Sequence, residues 1–141
     1  FGYDPSATPA PAPTPSPTPS PTPSPSPSPS PSITTYTVTV ASYLGSNYFY
    51  IDGSRAATLS LTEGQIYKFD QADSSNSNHP LRLSTTSNGT HGGGSEYTTG
   101  VTTSGTPGSS GAYTQIEVAS GAPTLYYYCT NHSGMGGQIN T

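Results

Sequence analysis

Charged residues are scarce in this chain, and their scarcity excludes several kinds of partner. Only 7% of the 141 residues are charged, and the net charge is −4. The only basic residues apart from histidine are Arg55, Lys68 and Arg82, which are far apart in the sequence. Nucleic acids and anionic membrane surfaces are bound by clustered Lys and Arg, so neither is expected as a partner. No apolar run approaches the roughly 20 residues that span a bilayer, so no membrane span is expected.

The chain also lacks any internal disulfide, because Cys129 is its single cysteine. The sequence begins at Phe1 rather than Met and has no apolar signal region, which we interpret as a mature, processed chain. We expect it to be extracellular, on a cell surface or on a virion surface. An unpaired cysteine in an exported protein is explained by a reactive thiol, an intermolecular bridge or a metal ligand.

A proline-rich tract separates the start of the chain from the rest. Proline occupies every odd position from Pro9 to Pro31, and Ser, Thr or Ala fills each gap. Proline fixes φ near −65° and disfavours the α region for the preceding residue, so residues 9–32 are predicted to form a polyproline II stalk. At about 3.1 Å per residue, these 24 residues would span about 75 Å. The Ser and Thr hydroxyls are candidate sites of O-glycans, and residues 1–8 form a separate aromatic segment.

The remaining residues, 33–141, show the alternation of polar and apolar residues that is typical of half-buried strands. No segment has a convincing helical period. Seven or eight short strands separated by turn signals predict an all-β sandwich. Residues 84–112, which are rich in Thr, Ser and Gly, are predicted to form a long loop that is functional or mobile. The predicted strands are residues 35–40, 48–51, 57–61, 65–69, 79–83, 113–118, 125–129 and a short last strand at 137–141.

Four side chains with metal-binding chemistry occur in a suggestive order. Cys129, His132 and Met135 lie in one short loop after an aromatic strand, and His79 begins a strand 50 residues before the cysteine. A thiolate, two imidazoles and a distant thioether are the ligand set of blue-copper electron-transfer sites. The soft sulfur ligands favour Cu(I) and the imidazoles suit both oxidation states, so the pattern predicts a copper site.

The motif Cys-x-x-His-x-x-Met after an aromatic strand resembles the ligand loop of cupredoxins, with the short spacing of amicyanin-like members. The run at residues 79–83 resembles the upstream ligand strand of that family, and the resemblance covers about residues 34–141. It implies a cupredoxin-like Greek-key β-sandwich. It also implies His79, Cys129 and His132 as trigonal copper ligands and Met135 as the weak axial ligand. Many members have proline where this chain has the residue before His132, an asparagine.

Other interpretations of these residues remain open. Zinc is an alternative metal for a set of two histidines and one cysteine, and a cupredoxin-like sandwich can persist as a scaffold without copper. No arrangement of catalytic side chains is evident, so the protein is not expected to be an enzyme. His91 has no counterpart in the motif and is interpreted as a loop histidine. Two sequons for N-glycosylation begin at Asn88 and Asn131, and we interpret the second as accidental because a glycan there would crowd the metal loop.

Two functions of different classes follow from these observations. The first is an assembly subunit of a filament, an appendage or a virion surface. In it, Phe1 and Tyr3 at the end of the stalk would insert into a neighbouring copy, giving a homo-oligomer. The second is a surface-tethered blue-copper electron-transfer protein. The sequence favours assembly because a soluble electron carrier needs no 24-residue rod, although copper binding and assembly are compatible.

Overall fold

The computed structural model describes residue 2, residues 9–23 and residues 31–141. Phe1 and Tyr3, which were predicted to insert into a neighbouring copy, lie outside the described residues, as do residues 24–30 of the predicted stalk. Residues 9–23 are exposed and belong to neither a helix nor a strand. The polyproline II geometry of the stalk stays a prediction.

Nearly all regular structure in residues 31–141 is β-structure, which confirms the all-β prediction. The two helical segments of the described chain are short 3-10 helices, Ser74–Asn76 and Gly89–Gly92. No helix in this part of the chain is long and apolar enough to cross a membrane. The ten strands are β1 (Ile33–Tyr43), β2 (Ser46–Ile51), β3 (Ser54–Arg55), β4 (Leu59–Ser60), β5 (Ile66–Asp70), β6 (Leu81–Ser84), β7 (Val101–Ser104), β8 (Tyr113–Glu117), β9 (Leu125–Cys129) and β10 (Gly137–Asn140).

The strands form two mixed sheets. One has six strands in the order β3-β2-β1-β5-β8-β7, and the other has four in the order β4-β10-β9-β6. Most neighbouring strands are antiparallel, but β1 pairs with β5 and β4 pairs with β10 in parallel. Parallel neighbours cannot be joined by a tight hairpin. The chain accordingly passes back and forth between the sheets from β3 to β9.

A single hydrophobic cluster lies between the two sheets, because alternate residues of each strand face inward. The rings of Phe69 on β5 and Tyr127 on β9 meet across the sandwich, with centroids 6.3 Å apart. Burial of these side chains is the main force that holds the sheets together. The cluster includes Val38, Phe49, Ile51, Tyr67 and Ile116 from the larger sheet and Leu81, Leu83, Leu125, Cys129 and Ile139 from the smaller one.

The structure differs from the sequence prediction at four places. β6 begins at Leu81 rather than at His79, and the intervening Pro80 has no N–H to give to a strand ladder. β7 lies inside the segment that was predicted to be a loop. It is a mostly exposed edge strand, so its residues lack the apolar alternation that reveals a half-buried strand. The two-residue strand β3 is too short to leave a sequence pattern, and together with β7 it brings the eight predicted strands to ten. β4 lies inside the predicted strand 57–61 but is shorter than predicted.

The residues that follow the proline-rich tract enter the sandwich at one end, and the predicted metal ligands lie at the other. Ser32 meets the start of β5, because its N–H and hydroxyl reach Oε1 of Gln65 at 3.2 and 3.1 Å. Gln71, just beyond the far end of β5, donates to the carbonyl of His79 at 2.8 Å. The five residues of β5 therefore separate the two regions by about 17 Å along the strand.

Candidate metal centre

Three of the four predicted ligands converge. The Sγ atom of Cys129 lies 3.7 Å from Nδ1 of His79 and 3.6 Å from Nδ1 of His132. The potential ligand atoms of the three residues all lie within 4.8 Å of one another. Metal bonds of about 2.0 Å to nitrogen and about 2.3 Å to sulfur, at tetrahedral or trigonal angles, require an N–S separation of about 3.5 to 3.8 Å. The donor atoms are thus spaced as a single ion would require.

The convergence follows from the pairing of two strands. β6 and β9 are antiparallel with Leu81 opposite Cys129, so the residues before β6 lie beside those after β9. The contact continues beyond the ladder, because the N–H of Thr130 donates to the carbonyl of Pro80 at 3.1 Å. The side chain of Asn131 then donates to the carbonyl of Asn78 at 2.9 Å. These two bonds hold the ligand loop, residues 129–136, against the segment that carries His79.

Two buried amides support His79 from the opposite side. Gln71 is 1% exposed, and its side chain donates to the carbonyl of His79 and accepts from the N–H of Leu81 at 3.0 Å. Its Nε2 also donates to Oδ1 of Asn76 at 3.1 Å, and Asn76 in turn donates to the carbonyl of Val38 at 2.7 Å. Sequence reasoning missed both amides, since nothing in a polar turn of Ser, Asn and Asp separates a buried amide from an exposed one.

The site is closed on one side and open on the other. Cys129 is buried, His79 is half-buried and His132 is exposed. The two imidazole rings lie close together, with centroids 4.6 Å apart. Solvent and other molecules can therefore approach the site along the His132 ring, whereas the hydrophobic core surrounds the thiol.

Burial controls the protonation of the thiol and of one imidazole. Burial raises the pKa of the Cys129 thiol, and the backbone N–H groups of Asn131 and His132, which point at the sulfur, partly offset this. Burial, and next the neighbouring His132, lowers the pKa of His79 and favours its neutral, metal-binding form. A metal ion binding here would displace the proton of the thiol, and the two N–H groups are placed to stabilise the resulting thiolate.

Met135 is buried, with 1% of its surface exposed, in the same hydrophobic cluster as Cys129. Its carbonyl accepts from the N–H of Phe49 at 2.9 Å, which ties the ligand loop to β2 of the larger sheet. The next residue must be glycine, because a Cβ at Gly136 would overlap the carbonyl oxygen of Tyr127. The structure thus places a buried thioether in the ligand loop, and its role as axial ligand stays a prediction.

The segment from Asn88 to His91 contacts the ligand loop from its other flank. Nε2 of His91 lies 2.8 Å from the carbonyl oxygen of Cys129, and the ring meets Tyr128 edge-on at 6.4 Å between centroids. His91 lies outside the group of three converging ligands. The interpretation as a simple loop histidine overlooked its bond to the Cys129 carbonyl, because a contact across 38 residues leaves no local signal.

Comparison with known proteins adds no relative: no family model, no curated protein and no solved structure matches this chain. The likeness to cupredoxins therefore depends on the ligand motif, on the strands that carry it and on the geometry of His79, Cys129 and His132.

Proposed function

We propose that residues 33–141 form a cupredoxin-like Greek-key domain that binds one copper ion through His79, Cys129 and His132, with Met135 as weak axial ligand. The main observation in support is that the Cys129 sulfur lies 3.7 Å from Nδ1 of His79 and 3.6 Å from Nδ1 of His132. A thiolate with two imidazoles suits copper, which would supply one-electron redox chemistry at this site. Membership in the cupredoxin family is part of the proposal.

The fourth residue favours copper over zinc. Structural zinc sites take four Cys or His ligands, or carboxylates, and catalytic sites keep water in the fourth position. The group of converging ligands in the described residues contains no carboxylate, and the ligand loop carries a buried thioether, that of Met135. A weak thioether beside a thiolate and two imidazoles is typical of electron-transfer copper.

The protein itself would orient the ligands and limit their movement. The amide of Asn131 ties the two ligand-bearing segments together, and the amide of Gln71 fixes the backbone of the segment that carries His79. The core excludes water from the thiol. Ligands that stay in place cost little reorganisation when the charge of the ion changes. The exposed His132 ring offers the contact through which a redox partner would reach the site.

Titration of the full-length, metal-free chain with copper tests this function. We expect one ion per chain and strong visible absorption from the thiolate–copper bond. Cys129→Ser should abolish the colour, whereas His91→Gln, a change outside the ligand group, should leave the stoichiometry at one. The proposal fails if the wild-type chain stays colourless, or if it binds several copper ions at exposed residues instead.

We propose assembly of copies of this chain as a second function, which is compatible with the first. The observation that favours assembly is an exposed aromatic surface at the end of β1 that lies opposite the proline-rich tract. Tyr43 and Leu44 at the turn between β1 and β2 are 42% and 87% exposed, and the guanidinium of Arg55 lies 3.5 Å from the centre of the Tyr43 ring. We call Tyr43, Leu44, Tyr48 and Arg55 the hairpin patch.

The stalk of the same chain leaves from the opposite end of β1, at Ser32. The tract of a neighbouring copy is thus the natural occupant of the hairpin patch, because aromatic surfaces bind proline-rich polyproline II segments. A head-to-tail contact of this kind does not close on itself and produces a filament.

Sedimentation of the full-length chain over a range of concentrations tests assembly. We expect particles that grow with concentration, and we expect deletion of residues 1–8, which carry the aromatic segment, to weaken the growth while copper binding is retained. A chain that remains monomeric at high concentration would contradict the assembly function and leave the tethered electron-transfer protein as the better interpretation.

A further inference from the structure

One asparagine side chain holds the stretch of backbone between two of the proposed ligands. Oδ1 of Asn88 accepts from the N–H of Gly134 at 2.8 Å, and Nδ2 of Asn88 donates to Oγ of Ser133 at 2.7 Å. Ser133 and Gly134 are the two residues that separate His132 from Met135. In the described part of the chain, no other side chain is hydrogen-bonded to either of them.

We propose that Asn88 is a positioning residue of the metal centre: it fixes the backbone between His132 and Met135, so that both side chains are held in place before a metal ion arrives. This inference rests on the proposed copper site. Gly134 has a φ of 77°. Because glycine can adopt many other backbone conformations at little cost, the loop needs a restraint from outside to stay in this one. Asn88 supplies that restraint from a segment 45 residues away in the sequence.

The chemistry of the contact suits a short side chain with two polar atoms. One partner is a backbone N–H, which needs an acceptor, and the other is the Ser133 hydroxyl, which accepts from the amide of Asn88 and could equally donate to a carboxylate. The backbone of Asn88 has a φ of 64°, in the left-handed region that asparagine tolerates better than most residues. Glutamine has the same amide but is longer, and it lacks the preference of asparagine for this conformation.

The segment that presents Asn88 is itself seated firmly on β9. Gly89 is buried, and a Cβ there would collide with the ring of Tyr128. The contact of His91 with the carbonyl of Cys129 adds a third bond to the ligand loop, three residues after Asn88 in the same 3-10 segment. Asn88 therefore acts from a fixed base rather than from a free loop.

The same contact bears on glycosylation, because Asn88 begins one of the two sequons. A glycan would be attached to Nδ2, the atom that donates to Ser133. Nδ2 of Asn131 in the second sequon is likewise engaged, with the carbonyl of Asn78. We expect both amides to be unmodified in a chain that binds metal.

A pair of variants in the full-length chain tests the positioning role. Asn88→Gly keeps the left-handed backbone without strain and removes both side-chain bonds. Asn88→Asp keeps an acceptor for Gly134, and its second oxygen can accept from the hydroxyl of Ser133. In the metal-free protein, we expect the Gly134 amide to exchange its hydrogen about tenfold faster in the glycine variant, in line with the loss of about one hydrogen bond. The aspartate variant should restore most of the protection.

The copper-loaded protein gives the second readout. We expect the glycine variant to show shifted visible and electron-paramagnetic-resonance spectra and about tenfold faster release of copper to a chelator, and the aspartate variant to resemble the wild type. A change that only loosened the fold would lower the melting temperature and leave these spectra unaltered. Should the glycine variant fail to fold, Ser133→Ala removes one of the two bonds at an exposed residue and should show the same shifts in smaller degree.

Two results would overturn the inference, and they are distinguishable. If the wild type becomes coloured and the glycine variant has the same spectra and copper release, Asn88 does not position the ligands and only this inference fails. If the wild type takes up no copper, the proposed function fails and the positioning role fails with it.

Discussion

The buried amide of Gln71 donates to the carbonyl oxygen of His79 at 2.8 Å, from a residue that sequence reasoning had passed over. The same side chain accepts from the N–H of Leu81, so it spans the backbone on both sides of Pro80. Proline has no N–H, and the chain before a proline is restricted to extended conformations. The side chain of Gln71 therefore provides hydrogen bonds around Pro80, where a strand ladder cannot form. In this way it fixes the position of His79.

We predict that Gln71→Ala lowers the free energy of unfolding by about 2 to 4 kcal/mol, because it leaves a cavity and strips the hydrogen bonds from buried backbone groups. Denaturation of the metal-free protein in urea measures this. Gln138→Ala is a matched control, since Gln138 is exposed and bonds only to Oδ1 of Asn140 among the described side chains, and it should change the stability by less than about 0.5 kcal/mol. Equal effects of the two substitutions would show that Gln71 does not have this structural role.

The stability of the metal-free protein should fall as the pH is lowered below about 6.5, the usual pKa of histidine. Burial, and next the charge of His132, lowers the pKa of His79 in the folded state. The unfolded chain thus binds a proton at a higher pH than the folded chain, and stability is lost between the unfolded and the folded pKa as the pH falls.

Urea midpoints measured from pH 8 to pH 5 test this pH dependence. His79→Asn, which removes the titrating group, should flatten the profile in that window. A profile of unchanged slope in the variant would assign the acid sensitivity to another group.

The glycine that follows the methionine should tolerate no side chain. A Cβ at Gly136 would overlap the backbone carbonyl of Tyr127, and backbone cannot move aside as a flexible side chain can. We predict that Gly136→Ala destabilises the fold by about 1 to 3 kcal/mol and alters the spectrum of the copper-loaded protein, because Met135 would be displaced. Gly45→Asn is the control, since that site is open and asparagine tolerates its φ of 85°. A stable variant with an unchanged spectrum would show that the close approach at Gly136 does not hold Met135 in place.

Most of the strands, and the grouping of Cys129 with His132 in one short loop, were predictable because both depend on local patterns. Alternation along β1 and β5 reflects which face of a strand is buried, and the spacing from Cys129 to Met135 reflects the geometry of one short loop. The sequence could not identify the supports of the site, Gln71 and Asn88. Each acts through hydrogen bonds to residues distant in the chain, and polar residues in turns look alike until the fold selects their partners. The exposed edge strand β7 was missed because neither face of it is buried deeply enough to require apolar residues.

The last prediction concerns the hairpin patch. Strands β1 and β2 continue beyond the end of β5, and from Ala41 to Tyr48 they pair only with each other among the described residues. The tip therefore projects from the sandwich. Arg55 covers one face of the Tyr43 ring, but Tyr43 and Leu44 still expose apolar surface whose burial by another surface would be favourable. If the proline-rich tract of a second copy is that surface, Tyr43→Ala combined with Leu44→Ser should abolish concentration-dependent assembly and leave copper binding intact. Ile33→Ser is the matched control, because Ile33 is also exposed, at 59%, but lies at the stalk end of β1.

A peptide of residues 9–23 should compete with assembly of the wild type. Assembly that survives in the double variant while the wild type polymerises would place the contact elsewhere on the domain, and equal loss in the control would indicate general destabilisation instead.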